Sequence, residues 1–542
     1  MNERLQRLLR PLALLLGVLL PGTISAQTTI TILHVGDSHS HLDAFGRRDM
    51  RLKGHLGGIA KVATIVAETR ASEPNTLFLH AGDAFQGDLL FNAYFGVPEL
   101  TLLNQLGLDA MVVGNHELDL GPGVLDMALS QAGDVPLVSA NLDFSACTLE
   151  TCGDLSTRIL PSRIKDVGGV KIGIFGLTVP GDPLAQPAPI VIRDDVATVT
   201  AETVAGLRAA GAQVVIGLSH LGIDYAQVIA ANVPGIDFIV SGHDHRLTSE
   251  PIAVASPDGK TTLIVAAGAF YENVGRLRFT VDSGQVRFVD YASIAMDKTV
   301  PEAPAVQAAV DTLKAGVTQQ YGNVYGRAVA WATHAVADTY DAEREARDTG
   351  MGNLISDAFR FHTRTDIALT TSGLISEGLA SGPLVGANVF RTVSYGYDAA
   401  TGLGFRMVTF RISGAELLRS LSTCLAAVGL TNAYDVQGSG LSFAYDSRQP
   451  VERRLLVDSV TIHGRHVDPS RLYTVTSDQA VVVMLPNMGI AIQDVQVLAE
   501  TEYEVVHDFV RRLGIVSYGS QGRVRDIAAQ RGPRTSAGAT VP

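Results

Sequence analysis

Between Thr28 and Tyr291 the chain repeats one pattern: a short apolar, largely β-branched run, a loop dense in Gly, Asp and His, then about a dozen residues with helical periodicity. The apolar runs are ITILHV (30–35), TLFLHA (76–81), AMVVG (110–114), VKIGIFGL (170–177), AQVVIGLS (212–219) and IDFIVSG (236–242). They are continuous rather than alternating, which predicts strands covered on both faces, and segments such as GGIAKVATIVAETRA supply the cover. An α/β sandwich is expected.

Near residue 300 the pattern changes to DKTVPEAPAVQAAVDTLKAGVTQQYG, where two prolines precede a polar, Ala-rich helical stretch. Beyond it, helical runs (NLISDAFRFH, GAELLRSLSTCLAAVG) mix with strand-like ones (FRMVTFRIS, LLVDSVTIHG, LYTVTSD), which predicts an α+β domain. The expected organisation is an N-terminal α/β domain over 27–300, a connecting helix over 301–325, an α+β domain over 326–528 and a disordered tail over 529–542.

Residues 1–26 read as a secretory signal: MNERLQRLLR is basic, PLALLLGVLLPG is apolar, and TISAQ offers small residues for cleavage. An uncleaved anchor is the alternative, but the apolar run falls short of the ~20 residues that span a bilayer. No later segment is long and apolar enough to span one, so a periplasmic or secreted protein without a stable span is expected.

Composition narrows the partners. The 542 residues carry 42 Lys+Arg against 55 Asp+Glu, a formal charge of -13, and removing the basic leader makes the remainder more acidic still. A nucleic-acid polymer is an unsuitable main partner for such a surface. The cysteines are Cys147, Cys152 and Cys424, with no CxxC pair for a zinc ribbon. In an oxidising compartment Cys147 and Cys152, with four residues between them, can pair locally, while Cys424 falls in a helical run and is expected to be buried.

Five of the six N-terminal apolar runs lead straight into polar clusters: Asp37, His39 and His41; Asp83; Asn115, His116, Glu117 and Asp119; His220; and His243, Asp244 and His245. The carboxyl ends of parallel strands face one edge of a sheet, so these clusters are expected to converge. A single Asp or His in such a loop is commonly a helix cap, but five on successive strand ends have no comparable structural explanation. Oxygen and imidazole ligands suit Zn, Mn or Fe, and seven ligands with one bridging carboxylate suffice for two metals. His55 and His80 read as ordinary loop and strand residues, and His41 as a neighbour rather than a ligand.

These clusters, taken in order as D-x-H, G-D, G-N-H-E, H and G-H-x-H over residues 30–245, resemble the calcineurin-like metallophosphoesterases. ILHVGDSHSHL, HAGDAFQG and GNHELDLG, together with MGNLISDAFR (351–360), ISGAELLRSL (412–421) and VTIHGRHVDPSRLYTVTSD (460–478), resemble the bacterial 5'-nucleotidase and UDP-sugar hydrolase branch. The resemblance implies two divalent metal ions. Asp37, His39 and His245 would hold one, Asn115, His220 and His243 the other, and Asp83 would bridge. It also implies that His116 donates to the phosphoryl oxygens or leaving group, oriented by Asp119.

The C-terminal half departs from that branch. Where the branch carries N-G-G-x-I-R, this chain has Thr371-Ser-Gly-Leu-Ile-Ser376, and the late aromatic motif is replaced by MLPNMGIAIQD (484–494). Tyr395 falls near the branch's first base-stacking position, with core packing as the alternative for it and Tyr397. Arg344 and Arg347 precede MGNLI, where the resemblance implies phosphate-binding arginines, and Arg347 and Tyr395 are the substrate-binding candidates. The leading expectation is an exported dinuclear phosphohydrolase for 5'-nucleotides or related esters and anhydrides. The alternatives are the same metal chemistry on a cyclic nucleotide, sugar phosphate or sulfur ester, and a catalytically silent binding protein. The sequence is silent on oligomeric state.

Overall fold

A computed structural model of the chain describes residues 27–182 and 185–529. The stretch 1–26 and residues 530–542 of the expected tail lie outside them.

Two six-stranded sheets face one another in the N-terminal half. The first runs in the order Gln285–Ala295, Asn273–Asp282, Thr28–Val35, Thr76–His80, Ala110–Val112, Leu137–Val138; the last four strands are parallel and the 273–295 hairpin adds antiparallel. The second has a parallel centre of Thr261–Ala266, Phe238–Ser241, Val214–His220 and Val170–Thr178, flanked antiparallel by Ile252–Ala255 and Ser162–Val167.

Why the strand sequences are continuously apolar follows from this layering. Ile30 and Ile32 point between the sheets, where they meet the layer of Ile172, Ile174, Ile216 and Leu218. Leu33 and Val35 alternate to the other face and pack with helix residues such as Val62 and Leu103. On the outside of the second sheet, Val215 and Ile239 are covered by Val204, Leu207, Ala226 and Ile229 of the helices Val196–Ala209 and Ile223–Asn232. Both faces exclude water, so no polar alternation is needed.

An 18-residue helix, Pro304–Tyr321, leads into the second half. There a five-stranded sheet runs in the order Val436–Ser439, Ile367–Thr371, Leu472–Asp478, Arg406–Ser413, Gln493–Thr501, packed by helices that include Gly350–Thr363, Gly414–Leu425 and Glu502–Leu513. The chain is thus a mixed α/β protein of two domains. The halves share one apolar core, in which Leu90 of the first, Val317 of the linking helix and Phe390 and Val506 of the second are all buried. Polar links cross the same boundary. Arg391 Nε donates to Asp88 Oδ2 at 2.6 Å, both fully buried, and His41 Nε2 lies 2.9 Å from Glu377 Oε2. Cys147 and Cys152 form a disulfide; Cys424 is a free thiol, partly rather than fully buried. No helix among the described residues is long and apolar enough to cross a membrane.

Candidate metal centre

The strands Thr28–Val35, Thr76–His80, Ala110–Val112, Val214–His220 and Phe238–Ser241 end at the same edge of the sandwich, and their loops meet there. Asp37, His39 and His245 bring one ligand atom each within 4.8 Å of one another; so do Asp83, His220 and His243, and also His39, Asp83 and His116. Asn115 joins the second set, its Oδ1 lying 3.1 Å from His220 Nε2 and 3.2 Å from His243 Nδ1. Of the residues singled out in the sequence, the structure brings together Asp37, His39, Asp83, Asn115, His116, Asp119, His220, His243, His245 and Tyr395.

The loops reach this geometry through unusual backbone. Asp37, His39, Asp83, His243 and His245 all have positive φ, between 45° and 85°. That region is sparsely used by non-glycine residues, and its repetition at one site marks conformations held by the surrounding structure. Glycines make the close approaches possible: a Cβ on Gly114 would fall 2.1 Å from Asp83 Oδ1, and one on Gly82, at φ +92°, 2.6 Å from His220 Nδ1.

The donor set fits cations. His220 Nδ1 donates to Ala81 O at 2.7 Å, so Nε2 is the atom turned to the centre, 2.8 Å from Asp83 Oδ2. His39 Nε2 and His245 Nε2 face each other at 3.0 Å. Burial pushes the pKa of His245 down to about 3 and that of His243 to about 4, each with help from neighbouring imidazoles. His220 departs from these two: burial opposes its charge, but Asp83 beside it holds its pKa up at about 9, and with Nδ1 committed to Ala81 the Nε2 proton is the one a divalent ion would displace. The remaining imidazole and carboxylate atoms aimed at common points form the arrangement such an ion satisfies.

His116 is different. Its Nδ1 is 2.6 Å from Asp119 Oδ2, and its backbone N–H donates to Asp83 Oδ1 at 3.0 Å. Burial opposes its charge, but Asp119 beside it, followed by Asp83, outweighs that and holds its pKa up at about 10. Tyr395 from the second domain covers the imidazole, ring centroids 4.9 Å apart and planes 6° apart.

Arg347 is not among the residues brought to this centre. Its guanidinium donates to the carbonyls of Arg344, Ala346 and Ala342, lies 3.5 Å from Asp526 and stacks on Tyr340, all within the second domain. Ser376 is engaged within the second domain, donating to Arg391 O at 2.6 Å.

The role of Glu117 and the presence of Asp182 and Phe270 escaped the sequence reading. Glu117 accepts the backbone N–H groups of Asp83, Ala84, Phe85 and Gly114, tying two ligand loops to one buried carboxylate. Its place inside GNHE was the available signal. Asp182 accepts from Asn115 Nδ2 at 2.9 Å, and Phe270 packs against His39, His41 and His245; neither carries a local sequence cue.

Residues 30–247 match the calcineurin-like phosphoesterase family, and residues 328–481 match the 5'-nucleotidase C-terminal domain. The chain belongs to the calcineurin-like phosphoesterases that carry this second domain, a family whose members use divalent metals. Among similar proteins, the snake venom 5'-nucleotidase of Naja atra is 27% identical over 533 residues, covering 91% of this chain and 98% of the relative. The human 5'-nucleotidase is 25% identical over 541 residues, covering 92% and 90%. The crystal structure of a 5'-nucleotidase precursor from Thermus thermophilus superposes with a TM-score of 0.80 at 27% identity, covering 92% of this chain and 99% of that one.

Proposed function

We propose that this protein is a metal-dependent phosphohydrolase that cleaves 5'-nucleotides or related small phosphate esters. The observation that carries the reading is the convergence of imidazoles, an amide oxygen and carboxylates on two adjacent points. Asp37, His39 and His245 would hold one divalent ion, Asn115, His220 and His243 the other, with Asp83 shared, and this ligand chemistry suits Zn, Mn or Fe. When bound, such a pair activates water, neutralises phosphate charge and holds an in-line geometry.

The chain's own groups do the rest. His116 carries a proton on the ring nitrogen not engaged by Asp119, and a ring nitrogen of His116 lies within 4.8 Å of the ligand atoms of His39 and Asp83. That position suits protonation of a departing alkoxide. Asp119 fixes the tautomer and supports the charge. Glu117 keeps the Asp83 and Asn115 loops in register, and Tyr395 presents an aromatic surface on the leaving-group side.

A second reading changes only the substrate. Ser376 and Arg347 are engaged with the protein itself, so base and phosphate recognition of the nucleotide type has few partners here, which favours a simpler ester. We place the enzyme in the periplasm or outside the cell; the basic and apolar leader and the Cys147–Cys152 disulfide support that.

The test is phosphate release from 5'-nucleotides, cyclic nucleotides, UDP-sugars, sugar phosphates and p-nitrophenyl phosphate, before and after chelation. Hydrolysis that disappears on chelation and returns with Mn or Zn is expected. Undiminished hydrolysis by protein shown to be free of metal overturns the proposal.

A further inference from the structure

We infer that the second domain carries a separate binding site for a small anion bearing a flat ring, such as an aryl or nucleoside phosphate. A cavity of about 460 Å³ opens beside the C-terminal end of helix Gly350–Thr363, lined by Asp357, Arg360, Phe361, Arg364, His463 and Tyr518 among others. A hollow of about 370 Å³ adjoins it, sharing Asp357, Arg360 and His463 and adding Arg523. The size falls in the range of small-molecule sites. None of the metal-centre residues, nor Tyr395, lines either space.

The charge is unbalanced in one direction. Both lining carboxylates have cations of their own: Asp357 accepts from Arg523 at 2.8 and 2.9 Å, and Asp366, which accepts the backbone N–H and hydroxyl of Thr474 at 2.9 Å, lies 3.7 Å from Arg471. Arg360 and Arg364 have no carboxylate partner among the described residues. The Nε of Arg360 is buried without an acceptor, and its Nη2 lies 3.5 Å from His463 Nδ1. Two uncompensated guanidinium groups facing a shared cavity, in a chain with a net charge of -13, form the planar donor array that suits phosphate.

The backbone points the same way. Arg364 has φ +61° and His463 φ +50°, the left-handed region where a helix terminus and a two-residue hairpin turn favour Gly or Asn. Both strained positions instead carry nitrogen-bearing side chains on the same rim. Aromatic rings line the same space: Phe361, 38% exposed, and Phe509 lie 5.4 Å apart, with the guanidinium groups of Arg364 and Arg512 over Phe361 at 4.6 and 5.5 Å, so a ligand ring would meet Phe509 or displace a guanidinium from Phe361.

Benzylphosphonate, whose C–P bond a phosphoesterase cannot cleave, is the probe, with methylphosphonate and benzyl alcohol as its two halves. Calorimetric titration of the metal-loaded full chain should show a benzylphosphonate site that Arg360→Gln/Arg364→Gln weakens by about tenfold or more, the loss of roughly one charged contact. Hydrolysis of p-nitrophenyl phosphate by that variant should stay within about twofold of the parent. At this site methylphosphonate should bind about tenfold more weakly, and benzyl alcohol should give no measurable heat. Arg364→Gln alone, at an exposed position, should weaken the site by about fivefold if the double variant is poorly folded. Benzylphosphonate binding unchanged in these variants, or methylphosphonate binding as tightly as benzylphosphonate, overturns the inference. Hydrolysis is read separately, so a failure of the catalytic proposal shows as lost turnover and a failure here as an unaltered titration.

Discussion

Tyr395 lies flat against His116, with ring centroids 4.9 Å apart and planes 6° apart, although the two residues belong to different domains. Asp119 holds the imidazole through Nδ1 at 2.6 Å, so the ring is fixed at its edge by the first domain and across its face by the second. A stack of this kind contributes about 0.5–1.5 kcal/mol. Tyr395→Phe, which keeps the ring, should leave kcat/KM within about twofold. Tyr395→Ala should lower it by about 2- to 10-fold, the same energy read as a rate. Steady-state kinetics of both variants decide the point, and equal losses would assign the effect to the hydroxyl.

His116→Asn separates proton donation from metal binding. Both ions should remain, by elemental analysis, while kcat falls by about 10²–10⁴, the usual range for a general acid. The loss should be larger for an alkyl phosphate than for p-nitrophenyl phosphate, whose leaving oxygen needs no proton. Asp119→Asn should show a smaller loss of the same kind. A missing metal, or equal slowing of both substrates, would make His116 a ligand or a general phosphate contact.

The shared carboxylate should behave unlike a ligand of one site. Asp83 lies 2.8 Å from His220 Nε2 and 3.9 Å from His39 Nε2. Asp83→Asn is therefore expected to reduce occupancy at both positions, and His39→Ala chiefly at one, measured as metal per chain after dialysis. Intact and equal occupancy in the two variants would contradict the ligand assignment.

Glu99 should make stability depend on pH. It is fully buried, accepts from the Ser40 hydroxyl and leaves its second oxygen without a partner; burial pushes its pKa from an ordinary 4.5 up to about 7. The folded state thus keeps a proton that the unfolded chain releases first. Its favourable contribution is complete below about pH 4.5 and is lost as pH rises through about 7, a change on the order of 3 kcal/mol at 1.36 kcal/mol per unit. Glu99→Gln, which never ionises, should have a higher Tm than the parent at pH 8 and a matching Tm near pH 4.5. A difference of equal size at both pH values would show that packing, not ionisation, is responsible.

The parallel strands and the loops that follow them were legible in the order of residues, because a short apolar run and the cluster at its end are local features. Once strands of one direction share a sheet, the places of Asp37, Asp83, Asn115, His220 and His243 at a common edge follow from strand geometry, not from any contact particular to this chain. Cys147 and Cys152 were legible for the same reason, since a short loop keeps them close in any fold. Whatever depends on how the two domains meet was set by tertiary packing. It brought Tyr395 onto His116, paired His41 with Glu377 and Asp88 with Arg391, and turned Arg347 into its own domain. It also showed Glu117 gathering N–H groups from two separate loops. Such contacts join residues far apart in the chain, and their geometry is set by the packing of whole layers, for which no local periodicity exists.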